Sequence, residues 1–379
     1  MGAGGGREAR PEEEEIRRIV KITPIQPPST PVPGNPEYSD IRFGNGRFQL
    51  HCVIGRGGFG LVVAATDIAT STVYALKIEN DSICTYKNEL QVFKRLSDVD
   101  SNAAPHLFSQ WKEHGYSVTQ MELLGINLLD YVRQKKDFKI SMSEACKLAQ
   151  QMIDLIQKLH EVGIIHCDIK PANFVFGLGT NCTILKIIDF GLAMSWRDAE
   201  GEQYGFKYVP PKGTPAYMSV NQHLNYGNVN TRRDDMESMV FSLMDLCRMP
   251  MMWKSEHNLV REGDHCAYWQ MKGGGTDGSK LCKDRRFRRA LRMCRKMGGH
   301  QEPDYEAFRL LFKDDSVFGG KKKVQPKDPD AIIDLTLQRR DKALLKRFRV
   351  NKSRLTVHPD SIAAASFAVP EEFSDVEEE

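Results

Sequence analysis

Between residues 47 and 80 apolar and polar positions follow the two-residue period of a strand. FQLHCVI, LVVAAT and VYALKIE each read as strands, and DIATST between the last two has turn character. Beyond them the period lengthens to that of a helix. KNELQVFKRL sets Leu90, Phe93 and Leu96 along one side. SEACKLAQQMIDLIQKLHEVG sets Ala145, Leu148, Met152, Ile156 and Leu159 on one buried stripe, with Ser143 as its expected N-cap and Gly163 as its expected stop. Short strands return at FVF and LKIIDF. The order is a small strand-rich lobe followed by a larger helical one, an α+β architecture with the join near Gly125 and order ending near Phe312.

The flanks differ from this patterned region. Residues 1–44 carry the acidic run Glu12 to Glu15 and then ITPIQPPSTPVPGNPEY, whose prolines favour extended chain, so they read as a tail. The folded domain is expected over 45–315, with lobes at 45–124 and 125–315. Residues 316–379 read as a basic, helix-like segment and an acidic end, EEFSDVEEE.

Composition narrows the class. A formal net charge of +3 gives no argument for a nucleic-acid partner. No apolar run is long enough to span a membrane, and the first residues lack the apolar core of a secretory signal. Gly2 invites a myristoylation reading, but Gly6 stands where that motif wants Ser or Thr. The nine cysteines form no CxxC pair, so reduced thiols in a cytoplasmic protein are expected. His265, Cys266 and Cys282 lack the paired spacing of a zinc site and read as structural.

Four motifs carry candidate chemistry. IGRGGFGLV contains Gly55, Gly57 and Gly60, followed by Val62. A dinucleotide fingerprint would open a helix here; the β-branched LVVAAT argues for a glycine-rich lid between two strands. Without Cβ atoms, backbone N–H groups can approach a triphosphate. Lys77 shares a strand face with Val73 and Ala75, where an inward cation needs a carboxylate partner, and Glu89 could supply it. IIHCDIKPANF holds Asp168, Lys170 and Asn173: a carboxylate to accept or orient an alcohol proton, a cation for a moving phosphoryl group, and an amide oxygen for a divalent metal. Asp189, at the end of LKIID, offers a second metal ligand.

With these motifs in this order, residues 47–312 resemble a eukaryotic protein kinase. The resemblance implies a two-lobed fold with ATP in the cleft between lobes. It implies an ATP site drawn from Ile54, Gly55, Gly57, Gly60, Val62, Ala75, Lys77 and Glu89. QMELLG would place Met121 as gatekeeper and Glu122 and Leu123 on the hinge. Asp168 and Lys170 would be catalytic, and Asn173 and Asp189 would hold Mg²⁺ or Mn²⁺. Lys170 and the pair Gly213-Thr214 are similar to the Ser/Thr class, which implies protein substrates bearing Ser or Thr. PAYMSVNQH, TRRDDMESM and EPDYEAFRLLF resemble the casein kinase 1 group, and YKNELQVFKRL and KPANFVFG are most similar to its tau-tubulin kinase-like members. A monomer without nucleic-acid or membrane partners is expected.

Two positions depart from the group. Cys167 replaces the arginine of His-Arg-Asp, which implies activity without a phosphorylated activation loop. Ala216 replaces an arginine that helps bind a phosphate already on the substrate, which implies weak preference for primed substrates. The competing reading is a pseudokinase scaffold; it would be favoured by loss of Lys77, Asp168 or Asp189, and all three are present. DRRFRRALRMCRK could dock an acidic partner, though a solvated helix face explains it too. KKKVQPK could serve as a nuclear address.

Overall fold

The three sequence-predicted strands form one antiparallel meander, and its register decides which side chains face together. The structure, a computed structural model, describes residues 42–56, 60–80, 86–100, 102–113, 115–197, 201, 210–224, 230–254 and 264–313. Strands β1 (Arg42–Phe43), β2 (Phe48–Arg56), β3 (Gly60–Asp67), β4 (Thr72–Asn80), β5 (Leu107–Glu113) and β6 (Tyr116–Glu122) form a sheet in the order β1-β2-β3-β4-β6-β5. Every pairing is antiparallel. Leu50, Leu61, Val63, Leu76, Ile78 and Val118 meet in one apolar cluster. The strand period therefore sends Val73, Ala75, Lys77 and Glu79 to the other face of β4.

The chain divides into two compact units. The first holds this sheet, from Met1–Cys84 and His106–Leu123. The second takes Thr85–Pro105 and continues from Leu124. It contains helices α1 (Tyr86–Val99), α2 (Leu128–Arg133), α3 (Met142–Glu161), α4 (Arg232–Leu246), α5 (His265–Met271), α6 (Arg285–Lys296) and α7 (Tyr305–Leu311). None among the described residues is long and apolar enough to cross a membrane.

Helix α3 buries Ala145, Leu148, Met152, Ile156 and Leu159, as the period predicts. Its N-cap is Ser141, not Ser143. Ser141 Oγ accepts from the Glu144 amide while the Glu144 carboxylate accepts from the Ser141 amide, a reciprocal capping box. The sequence Ser-x-Ser-Glu offers two hydroxyls, and only the first stands three residues before the glutamate. On α1, Leu90 is exposed and Val92, Phe93 and Leu96 are buried, so the apolar face is rotated from the expected one.

Helix α6 inverts the usual balance, with seven basic residues in twelve. Phe287, Ala290, Leu291 and Cys294 form its buried stripe. Arg295 leaves the solvent face. Its guanidinium lies 2.7 Å from the carboxylate of buried Glu237 on α4 and donates to the carbonyls of Lys272 and Gly273. Arg295→Met would leave Glu237 buried without that cation. The expected loss is about 3–5 kcal/mol of stability, read from thermal or denaturant unfolding. A loss under about 1 kcal/mol would place the pair with ordinary surface bridges.

Candidate active site

Four short strands of the second unit bring the chemical residues together. β7 (Ile164–Ile165) pairs with β10 (Met194–Ser195), and β8 (Phe174–Phe176) pairs with β9 (Leu185–Ile187). Residues 166–173 link β7 to β8, and Asp189 follows β9 by two positions. The amide of Ile188 donates to the carbonyl of Asn173, which ties the two loops directly.

His166 organises the first loop from a fully buried position. Its Nδ1 accepts from the Asp168 amide at 3.3 Å, and its Nε2 lies 3.1 Å from the Ile188 carbonyl. An acceptor at Nδ1 and a donor at Nε2 describe the neutral ring with its proton on Nε2. Its ring lies near Phe190, which meets Phe93 of α1 edge to face.

Asp168 is buried, and each carboxylate oxygen has a defined neighbour. Oδ1 accepts from the Thr214 amide at 2.8 Å, and Oδ2 accepts from Lys170 Nζ at 2.5 Å. Lys170 Nζ also donates to Thr214 Oγ1 at 3.0 Å. Carboxylate, cation and threonine thus form one hydrogen-bonded unit. Asn173 Nδ2 donates to the Asp168 carbonyl at 2.9 Å, so its amide oxygen lies at the opposite end of the group. Asp189 has a φ of 68°, in the left-handed region that non-glycine residues rarely adopt. Such strain persists where surroundings over-determine it, often at functional sites.

Asp235, near the start of α4, underlies this arrangement. It is almost fully buried and accepts from the His166 amide at 2.7 Å and the Cys167 amide at 3.0 Å. His160 Nε2 donates to the same carboxylate at 3.0 Å, and its Nδ1 lies 2.8 Å from Tyr305 Oη. Its neighbour Asp234 caps α4 through Thr231 and accepts from Ser219 Oγ at 2.7 Å. Burial raises the Asp234 carboxyl above the usual range, against the lowering effect of Arg233 and of these donated bonds. Sequence reasoning singled out the run TRRDDMESM without assigning either aspartate a role. The available signal was the pair of carboxylates in a helix's first turn, after a threonine cap.

Cys167 is buried with a φ of 66°. Its amide reaches Asp235, its carbonyl accepts from Gln222 Nε2 at 3.1 Å, and its Sγ lies 3.7 Å from the Ile165 carbonyl. Gly213 passes so close that an added Cβ would stand 2.7 Å from the Cys167 carbonyl, and its φ of 118° independently requires glycine.

The first unit positions the remaining expected residues. Gly60 cannot carry a Cβ, which would stand 2.2 Å from the Ile78 carbonyl. Gly55 pairs with Val62 across the β2–β3 hairpin, so strand and not helix follows the glycines. Gly57 lies outside the described residues. Ile54 is exposed, and Ala75 pairs with Met121 across β4 and β6. The Glu122 amide donates to the His106 carbonyl and its carboxylate accepts from the His106 amide, while Leu123 is buried. Lys77 Nζ lies 3.1 Å from the carboxylate of Glu79, which follows on the same strand face. Sequence reasoning did not single out Glu79, although the two-residue strand period already set it beside Lys77. Glu89 is buried on α1, in the second unit.

The arrangement makes Cys167 a packing residue. Burial pushes its thiol up to about 12, against the opposing effect of Lys212. At pH 8 the thiolate would be roughly one part in 10⁴. Iodoacetamide applied to the native protein is expected to label exposed Cys266 and spare Cys167 until denaturant is added. Peptide mass spectrometry showing comparable native labelling at both sites would assign Cys167 a reactive role instead.

Family comparison agrees with this geometry. Residues 48–276 match the model of the protein kinase domain. That span includes the glycine hairpin, Lys77, the Asp168 loop, Asp189 and the braces on α4. The chain belongs to the protein kinase domain family, and its antiparallel sheet followed by a helical region is the two-lobed α+β fold of that family.

Proposed function

We propose that the protein is a serine/threonine kinase that transfers the γ-phosphoryl group of ATP to hydroxyls of protein substrates. The observation that carries this reading is the unit of Asp168, Lys170 and Thr214. A buried carboxylate stands 2.5 Å from a cation, and both are bonded to the threonine after Gly213. In this proposal Asp168 orients the substrate hydroxyl and takes its proton, while Lys170 offsets charge on the transferred group. Little covalent help is needed in phosphoryl transfer, so positioning and fixed charge are the main contributions.

The donor set of Asn173 and Asp189 fits a hard divalent ion such as Mg²⁺ or Mn²⁺, which takes oxygen ligands and commonly keeps only one or two from protein. A cation held there would neutralise charge on the phosphates. Lys77 is assigned to the α- and β-phosphates, steadied by Glu79 beside it. Gly55, Gly57 and Gly60 supply the lid, and Ile54, Val62, Ala75, Met121, Glu122 and Leu123 the nucleotide-facing surface. Membership of the casein kinase 1 group, nearest its tau-tubulin kinase-like members, rests on the Ser219-Val220-Asn221 run and TRRDDMESM. A monomeric protein of the cytoplasm, with KKKVQPK as a candidate nuclear address, completes the proposal.

The activation segment supports function without a loop phosphate. Its start is held by the β7–β10 pairing and by Trp196, whose indole donates to the His160 carbonyl. Arg232 stacks on the same indole at 4.0 Å. Tyr217 and Ser219 are buried and bonded to Asp245 and Asp234, and Thr214 is engaged with Lys170. Of the other hydroxyl-bearing residues in the segment, Ser195 lies on β10, and Tyr204 and Tyr208 lie outside the described residues.

Asp168→Asn keeps the shape and removes the proton acceptor. On an array of serine, threonine and tyrosine peptides, the wild type is expected to label serine and threonine, and the variant to be slower by about 10²–10⁴-fold. Unchanged turnover in the variant would remove Asp168 from the mechanism. Separately, phosphatase treatment that clears the activation segment, verified by mass spectrometry, is expected to leave turnover within about twofold of the untreated enzyme. A collapse that ATP preincubation restores would show that a cation in this protein reads a loop phosphate.

A further inference from the structure

Among the described residues, one of the fully buried ionisable groups that the reaction as described leaves unused is a lysine. Lys272 follows α5 and has no solvent exposure. Its Nζ lies 2.7 Å from the Pro215 carbonyl, 2.6 Å from the Met218 carbonyl and 2.9 Å from His223 Nε2. The rings of Phe241, Trp253 and Tyr268 surround it at 5.2–5.5 Å from their centroids. A lysine nitrogen has three positions beyond its own carbon, and three partners fill them. An ammonium would donate all three bonds. A neutral amine would donate two and accept one from the His223 ring. The geometry is satisfied in both forms, which makes this burial tolerable.

The partners matter more than the charge. Pro215 and Met218 belong to the segment that begins with Gly213 and Thr214. The carbonyl between them, Ala216, accepts from Trp253 Nε1 at 2.8 Å. Tyr217 Oη donates to Asp245 at 2.6 Å. Side chains from outside the segment therefore hold each of residues 215–218. Thr214, one residue upstream, bonds Asp168 and Lys170. The C-terminal end of α5 is itself fixed, because the Lys272 carbonyl accepts from Arg295, the partner of Glu237.

We propose that Lys272 is a positioning residue for the protein substrate: its buried amine, together with the Trp253 indole, sets the backbone of residues 213–218 against which the acceptor hydroxyl is presented to Asp168. This rests on the kinase reading above and extends it to a residue that touches neither nucleotide nor reacting atoms. The backbone carbonyls of Pro215, Ala216 and Met218 are turned inward to their donors, which leaves the opposite side of the segment for the substrate. A substrate-facing loop held by neutral and charge-assisted bonds to carbonyls needs no phosphate of its own.

The test separates substrate positioning from simple folding. Lys272→Met keeps length and suits the aromatic surroundings but cannot bond the carbonyls. Trp253→Phe keeps a ring and removes the single bond to Ala216. Both are compared with wild type in the full chain, using a serine peptide selected from the array and a fluorescent ADP analogue. For Lys272→Met, kcat/KM for the peptide is expected to fall by about 100-fold, because displacement of the reacting group by about 1 Å has that effect. Trp253→Phe is expected to fall by about tenfold. Affinity for the ADP analogue should stay within about twofold in both, since Lys77 and the glycine hairpin are untouched. Parallel losses of peptide turnover and nucleotide affinity would indicate a merely structural role and overturn the proposal. So would peptide kcat/KM within about threefold of wild type in folded Lys272→Met. Where Lys272→Met fails to fold, Trp253→Phe decides alone: unaltered peptide kinetics overturns the proposal. A wild-type protein that binds the ADP analogue yet phosphorylates no peptide overturns the enzyme reading and this proposal with it. An active wild type with unaffected variants overturns this proposal alone.

Discussion

The carboxylate of Asp235 is the point on which the loop of residues 166–173 depends. A buried carboxylate is tolerated when its lone pairs are filled, and the amides of His166 and Cys167 and the His160 ring fill them. The bonds to two successive amides explain how the loop can be strained. Cys167 adopts a left-handed φ, which costs a non-glycine residue of order 1–2 kcal/mol. A charge-assisted bond to its amide, of order 1.5–3 kcal/mol, offsets that cost. The bend places Asp168 with its amide on His166 and its carboxylate toward Thr214. Tyr305, on the last described helix, completes the chain through His160. Residues from 160 to 305 thus converge on one anchor.

The hydrophobic core and the polar anchors divide the work. Stripes on α3 and α6 bring helices together by burial, which is non-directional and cannot set a loop to a fraction of an ångström. Direction comes from buried Asp234, Asp235 and Lys272 and from half-buried Arg295, each bonded to more than one partner. Buried polar networks of this kind are costly when half satisfied and specific when complete. Their bonds run mostly to backbone amides and carbonyls, so they fix the chain path whatever side chains the path carries.

This division also accounts for what could be read from the sequence. Strands, the α3 stripe and the glycine hairpin were legible because they depend on periods of two and 3.6 and on one residue type. The candidate quartet stands out in the sequence because Asp168, Lys170 and Asn173 lie within six residues and Asp189 follows a short strand by two positions. The Ser141 cap was missed through a choice between two nearby hydroxyls, which only the spacing to Glu144 resolves. Leu90 was misplaced because helical register fixes spacing but not which arc faces the core. Asp235, Lys272 and Trp253 were illegible for a different reason. Their partners stand 37–75 residues away in sequence, and no local pattern signals such a bond. The two-residue strand period places Glu79 beside Lys77, but Glu89 on the next helix offers the same charge, and sequence alone does not choose between them.

Position 167 shows how a departure from a family pattern can be mild. The surrounding structure uses this residue through its backbone: the amide for Asp235, the carbonyl for Gln222, and the close passage of Gly213. Each of these survives any side chain that accepts the left-handed bend and the buried volume. An arginine there would add a cation, and a cation is useful only where an anion comes to meet it. In this chain Ser219 is spent on Asp234, Tyr217 on Asp245 and Thr214 on Lys170, so these hydroxyls already have structural roles. The segment they belong to is anchored by neutral and lysine-donated bonds instead. A small thiol fills this buried site without the desolvation cost that a guanidinium would carry there.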